Sequence, residues 1–162
     1  MQKNPEQICL KEENQSCKQQ IDQFQSQIKE YLNAYQHAIS QNAISMNEFW
    51  IWQSLTQPDG EYTQQDLCTI WSLPKQTVNS IIAQMIIKKF ARLEHKPGER
   101  KRKIIRLTEE GQKRGQSIIS PIAKAEQRAF EKMTPQRFAD MNEVFGQYIS
   151  IIKSEFEAKS HD

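Results

Sequence analysis

Between Lys75 and Arg106 this 162-residue chain concentrates two kinds of chemistry. Gln76, Thr77, Asn79, Ser80 and Gln84 are short, uncharged side chains that donate and accept hydrogen bonds, and Lys75 and Lys88 bracket them. From Lys88 to Arg106 there are nine lysines and arginines against Glu94 and Glu99, a local charge of +7; the whole chain carries +2, which leaves −5 for the remainder. Amides and hydroxyls pair with base edges in a major groove, and ammonium and guanidinium groups neutralise phosphates. A basic patch on an otherwise acidic body is the electrostatic footprint of a nucleic-acid-binding face. Catalysis is the least favoured chemistry. His37, His95 and His161 are scattered, without a nucleophile or carboxylate at recognisable spacing. Gly-rich phosphate loops and metal-ligand clusters are missing too, so neither a cofactor nor a metal is expected.

The elements that must position these groups follow from periodicity and caps. Thr63 and Asp66 have capping-box spacing, so a helix starts there; its apolar residues Leu67 and Ile70 are three apart, and its pattern stops at residues 71–73. Pro74 suits the first turn of a new helix, where a missing N–H costs nothing. From Lys75 the apolar residues Val78, Ile81, Ile82, Met85 and Ile86 recur at three- and four-residue intervals, one face of an amphipathic helix. At 100° per residue the opposite side carries Gln76, Ser80, Ala83 and Ile87, flanked by Thr77, Asn79 and Gln84. Ile87 has no place in a hydrogen-bonding face and stays unexplained at this point. Two short strands, Phe90 to Glu94 and Lys103 to Leu107, then enclose a basic tip whose Pro97 and Gly98 supply turn chemistry.

A helix, tight turn, second helix and basic two-stranded wing in this order resemble the winged helix-turn-helix of the MarR family of bacterial transcription regulators. The resemblance rests on Thr77, Val78, Asn79 and Ser80, on Glu99, Arg100 and Lys101 at the wing tip, and on the Leu107, Thr108 and Gly111 of the Leu-Thr-x-x-Gly that closes the family's wing. Three positions depart from the family. Lys89 stands where a glycine usually ends the recognition helix in a left-handed conformation. Ser80 replaces a frequent arginine, and at the wing tip Glu99 and Lys101 stand in the family's Asp-Arg-Arg with charge kept, though lysine lacks arginine's planar fork.

The expected fold is mainly α: a winged helix-turn-helix with a small two-stranded β wing and long N- and C-terminal dimerisation helices. Residues 1–17 are polar and aperiodic and read as a flexible arm. Residues 18–44 form a first dimerisation helix with a stripe of Ile21, Phe24, Ile28, Tyr31, Leu32, Tyr35 and Ile39. Residues 45–108 are the DNA-binding domain, opened by a second capping box at Ser45 and Glu48. Residues 109–162 are C-terminal dimerisation helices. Their first stripe, Ile118, Ile122, Ala125, Ala129 and Met133, passes Pro121, where a kink is expected. Thr134 and Pro135 restart a helix whose Phe138, Met141, Phe145, Tyr148 and Ile152 approach a heptad seam. Such helices on a small domain with 37% hydrophobic residues are best explained by a partner subunit.

The expected function is that of a sequence-specific DNA-binding regulator, a homodimer on double-stranded DNA whose operator is an inverted repeat with half-sites about 10 bp apart. Gln76, Thr77, Asn79 and Ser80 read bases, while Lys75, Gln84 and Lys88 place the helix on the backbone. By resemblance, Arg100 enters the minor groove with Glu99 orienting it, and Lys96, Lys101 and Arg102 hold phosphates. The family also implies a small-molecule effector, an aromatic or phenolic acid, in a crevice to which Tyr31, Tyr35, Trp50, Trp52 and Trp71 belong, and repression as the commoner output. Two alternatives accompany this reading. One is a winged-helix protein-interaction module. The other is a regulator sensing oxidants through Cys17, which lies near the place of the cysteine some members use. Cys9, Cys17 and Cys68 are odd in number and lack metal-ligand spacing, so a disulfide framework is not expected. Neither a secretory signal nor a membrane span is visible, and the expected compartment is the cytoplasm.

Overall fold

The structure, a computed structural model, describes residues 5–58, 60–96 and 99–158, with side chains described from Gln15 onward except at Lys96 and residues 99–102. Among the described residues, six helices and one two-stranded sheet follow the order α1 (Pro5–Ser40), α2 (Met46–Leu55), α3 (Gln64–Trp71), α4 (Lys75–Ile87), β1 (Ala91–Lys96), β2 (Glu99–Leu107), α5 (Glu109–Lys132) and α6 (Pro135–Ala158). By its contacts the chain divides into two compact units at Ile118/Ile119.

The first unit is built on caps that the sequence announces. Thr63 accepts from the Asp66 N–H and Asp66 accepts from the Thr63 N–H, so both halves of the box are closed. At α2 only one half forms. Ser45 accepts from the Glu48 N–H, but the Glu48 carboxylate turns to the indole N–H of Trp52, 3.2 Å away. Between α3 and α4, Ser72 takes a left-handed conformation at φ 50°, which ends α3 and lets Leu73 N–H reach the Cys68 carbonyl. The core gathers Ile39 from α1, Phe49, Ile51, Trp52 and Leu55 from α2, Leu67 from α3, Val78, Ile82 and Met85 from α4, Ile104 and Ile105 from β2, and Ile118 from α5. Arg114 of α5 donates to the Asn42 carbonyl just beyond α1, tying the two helices.

Several expectations need correction. The stretch 1–17 is not a flexible arm over its described part: α1 is helical from Pro5. Its Glu, Gln, Lys and Leu residues are good helix formers, and no interior glycine or proline interrupts them. Ile70 is 52% exposed, so α3 contributes only Leu67 to the core. Pro74 occupies the cap position before α4 rather than its first turn. The strands are longer than composition suggests, reaching Lys96 and starting at Glu99, because those two residues pair with each other; Phe90 lies before β1. The expected continuation past Pro121 is, by contrast, present: α5 is one helix from Glu109 to Lys132 with Pro121 inside it.

In the second unit, Thr134 caps α6 through the Arg137 and Phe138 N–H groups, with Pro135 as first residue. Phe130 and Phe138 meet edge-on with ring centroids 5.0 Å apart. None of the α6 residues is buried: Met141, Val144, Phe145, Tyr148, Ile149, Ile151 and Phe156 are exposed apolar side chains.

Candidate nucleic-acid interface

Helix α4 has two sides, although of the expected apolar stripe Ile81 is only half-buried and Ile86 is exposed. Val78, Ile82 and Met85 are buried, while Gln76, Ser80, Ala83, Gln84 and Ile87 are exposed and Thr77 is half-buried. Residues 76, 80, 83 and 87 are spaced four, three and four apart, so they form one continuous face opposite the core. Asn79 is the partial exception among the expected base readers. It flanks the buried stripe, one step from Val78, and its side-chain carbonyl oxygen is shut off from solvent without a hydrogen-bond partner among the described residues. Gln76 and Ser80 are presented without obstruction; the carbonyl of Asn79 is not. Lys75 and Lys88 are exposed at the two ends.

The end of α4 is where the wing is anchored. Lys89 has φ 58°, the left-handed region, and its N–H reaches the Ile86 carbonyl at 2.9 Å while the Phe90 N–H reaches the Met85 carbonyl at 2.8 Å. This is a complete Schellman ending, built on a lysine where glycine would be free of strain. Thr108 grips the same spot from the other side: its hydroxyl donates to the Lys89 carbonyl at 2.7 Å and accepts from the Gly111 N–H at 3.0 Å, while its N–H donates to the Phe90 carbonyl at 2.9 Å. A Cβ on Gly111 would lie 1.9 Å from the Phe90 carbonyl oxygen, so only glycine lets α5 approach so near. The threonine and glycine of the Leu-Thr-x-x-Gly pattern thus act together to hold the exit of β2 against the end of α4.

The wing is an antiparallel pair with Ala91 opposite Leu107 and His95 opposite Lys103. The register then shifts, and Lys96 pairs with Glu99, so residues 100–102 form an irregularity in the longer strand. Bulges of this kind re-aim side chains. The side chains of Lys96, Glu99, Arg100, Lys101 and Arg102 lie outside those described. Nearer the base, Arg92 bonds Glu94 at 2.6 Å and Arg106 bonds Glu61, with Glu94 also 3.8 Å away. Both arginines are paired, although Arg92 stays exposed; Lys88, Lys89 and Lys103 are further exposed cations at the base of the patch. Tyr62 adds a single bridge to Ile105, its carbonyl accepting from the Ile105 N–H at 2.8 Å, the third strand reduced to one residue.

The five aromatic residues expected to line a crevice do not behave alike. Trp52 is 1% exposed and meets Phe90 edge-on, which places it in the core. Trp50 and Trp71 are half-buried and stack at 4.7 Å with 18° between planes. The Trp71 N–H donates to the buried Ser54 hydroxyl at 2.8 Å, and that hydroxyl donates to the Trp50 carbonyl. Tyr31 and Tyr35 are a separate tilted pair, 4.7 Å between centroids, with Tyr31 exposed. Cys17 is an exposed free thiol on α1. Among the described residues, no three His, Cys, Asp or Glu side chains are grouped to hold a metal, and no helix is long and apolar enough to cross a membrane.

No protein-family model and no curated protein sequence matches the chain. Solved structures do match it in fold. A MarR-family regulator from Neisseria meningitidis superposes with a TM-score of 0.73 at 20% identity, over 86% of this chain and 98% of that one. A MarR/EmrR-family transcriptional regulator from Acinetobacter gives 0.65 at 17%, over 82% and 96%. BpsR of Bordetella bronchiseptica, whose DNA binding is regulated by 6-hydroxynicotinic acid, gives 0.60 at 15%, over 78% and 90%. The chain therefore has the fold of the MarR-family winged-helix regulators.

Proposed function

We propose that this protein is a MarR-family transcription regulator that binds an inverted-repeat operator as a homodimer. The observation that carries this reading is the exposed α4 face of Gln76, Ser80, Ala83 and Ile87, set opposite a buried stripe and anchored next to a basic wing. Gln76 and Ser80 read bases, joined by Thr77 and the exposed part of Asn79. Lys75, Gln84 and Lys88 place the helix, and Arg100 with its neighbours Lys96, Glu99, Lys101 and Arg102 works from the wing. The unburied apolar residues of α6, together with Ile21, Tyr31 and Leu32 of α1, support dimerisation, since they are surface that a single chain leaves wet. Repression is the mode of regulation.

Release by a small aromatic or phenolic acid is the second part of the proposal. It is supported by the half-buried aromatic side chains Tyr35, Trp50 and Trp71 and by the 6-hydroxynicotinic acid that regulates the similarly folded BpsR. Such a ligand releases DNA only by binding the DNA-free geometry better, so DNA must weaken the ligand by the same factor. The exposed thiol of Cys17 supports one alternative trigger, oxidation.

The test is selection of bound duplexes from a random pool by the purified full chain, followed by release assays with a panel of aromatic acids and with peroxide. Recovery of an inverted repeat supports the regulator; an unenriched pool favours a protein-docking winged helix instead. Release by an acid supports the effector proposal, and release by peroxide that Cys17→Ser abolishes replaces it with the redox trigger.

A further inference from the structure

The face of α4 that looks away from the core is not uniformly polar. Gln76 and Ser80 occupy its first half, but Ala83 and Ile87, both exposed, occupy the second. Ile87 is 70% exposed on a helix whose other side already supplies three buried residues, Val78, Ile82 and Met85, to the core. Most of this isoleucine side chain is therefore left in water at the end of a hydrogen-bonding face. What it can meet is decided by what the rest of the face meets. If Gln76 and Ser80 lie against base edges, Ala83 stands about 4.5 Å further along the axis than Ser80 and Ile87 about 6 Å beyond that, at 1.5 Å per residue. Both then remain within the same groove. The major groove offers one apolar group, the C5-methyl of thymine.

We propose that Ala83 and Ile87 are specificity-determining residues that read thymine methyl groups in each operator half-site, while Gln76 and Ser80 read hydrogen-bonding edges of the neighbouring pairs. This rests on the DNA-binding reading above. It divides the face by chemistry: the N-terminal half discriminates by donors and acceptors, the C-terminal half by apolar contact. The small Ala83 side chain lets the helix approach closely, and the branched Ile87 reaches from the side.

The experiment uses the full chain and duplexes selected from a random pool, with each thymine of one half-site replaced singly by uracil, which removes only the methyl. Burying one methyl is worth about a four-fold change in affinity. The expected result is a loss of about that size at one or two thymines and none elsewhere. Ile87→Ser should abolish the loss at one of these positions and Ala83→Ser at the other, with melting temperatures lowered by no more than about 2 °C, since both residues are exposed and only serine's weaker helix preference acts. Equal affinity for thymine and uracil throughout a selected site overturns the inference and leaves the DNA-binding reading standing. A methyl preference that survives both substitutions also overturns it and assigns the contact to other residues. Failure to select any duplex overturns both.

Discussion

Lys89 offers a stability test whose sign is set by one dihedral angle. Its φ of 58° places a side chain in the left-handed region, which costs an L-residue roughly 1–2 kcal/mol relative to the right-handed helix, and glycine escapes that cost. Lys89→Gly alone confounds this gain with loss of a cation near the α4 C-terminus, where a positive charge contributes about 0.3–1 kcal/mol. The informative comparison is therefore Lys89→Gly against Lys89→Ala, since both remove the charge and only the alanine retains a Cβ. In a helix interior alanine is the more stable by about 1 kcal/mol. At position 89 the order should invert, with glycine ahead by about 1 kcal/mol, which for a chain of this length is about 2–4 °C in Tm. The hydrogen bonds from Lys89 N–H to Ile86 and from Phe90 N–H to Met85 are backbone bonds and persist in both variants. Urea titrations at fixed protein concentration, with equal slopes, give the difference. Alanine equal to or better than glycine would refute the left-handed ending and with it the geometry on which Thr108 closes.

Three further outcomes follow from the same contacts. Gly111→Ala drives a Cβ to within 1.9 Å of the Phe90 oxygen, so overpacking should exceed alanine's helix preference and cost about 1–3 kcal/mol net, measured by chemical denaturation. Trp71→Phe keeps the stack on Trp50 but removes the 2.8 Å donor to buried Ser54, a loss of about 0.5–1.5 kcal/mol by the same measurement; an unchanged stability means the bond is not made. Asn79→Ala removes an unpartnered buried acceptor and should leave stability within about 0.5 kcal/mol, while anisotropy titrations should register a greater loss on operator than on random DNA.

Much of the fold is legible in the sequence because its signals are local. The Thr63 and Asp66 box, the Val78, Ile82 and Met85 stripe and the Thr134 and Pro135 restart each depend on residues a few positions apart, and each is present. What escapes depends on distance in sequence. The occupation of Arg106 by Glu61 spans 45 residues, and nothing in the basic run marks Arg106 as the cation that is paired with a distant carboxylate. The reason for Gly111 is likewise a contact with Phe90, readable beforehand only as a family pattern. Trp52 and Trp50 are two residues apart on α2 with similar sequence surroundings, yet one is sealed in the core and the other stacks on Trp71. The discrepancy at residues 5–17 has a different origin. Polarity without periodicity suggests a flexible arm, although Glu-, Gln- and Lys-rich sequence is equally compatible with a solvent-exposed helix.

The most direct test of sequence reading by α4 is the affinity of the full chain for a selected duplex and for a scrambled one across a salt series. If α4 reads bases and the wing holds phosphates, both affinities fall with log salt at similar slopes, about −5 for about six phosphate contacts, and the selected duplex stays favoured by at least about a thousand-fold throughout. Equal affinities at every salt concentration would contradict sequence reading by α4, and affinities insensitive to salt would contradict a phosphate-binding role for the wing.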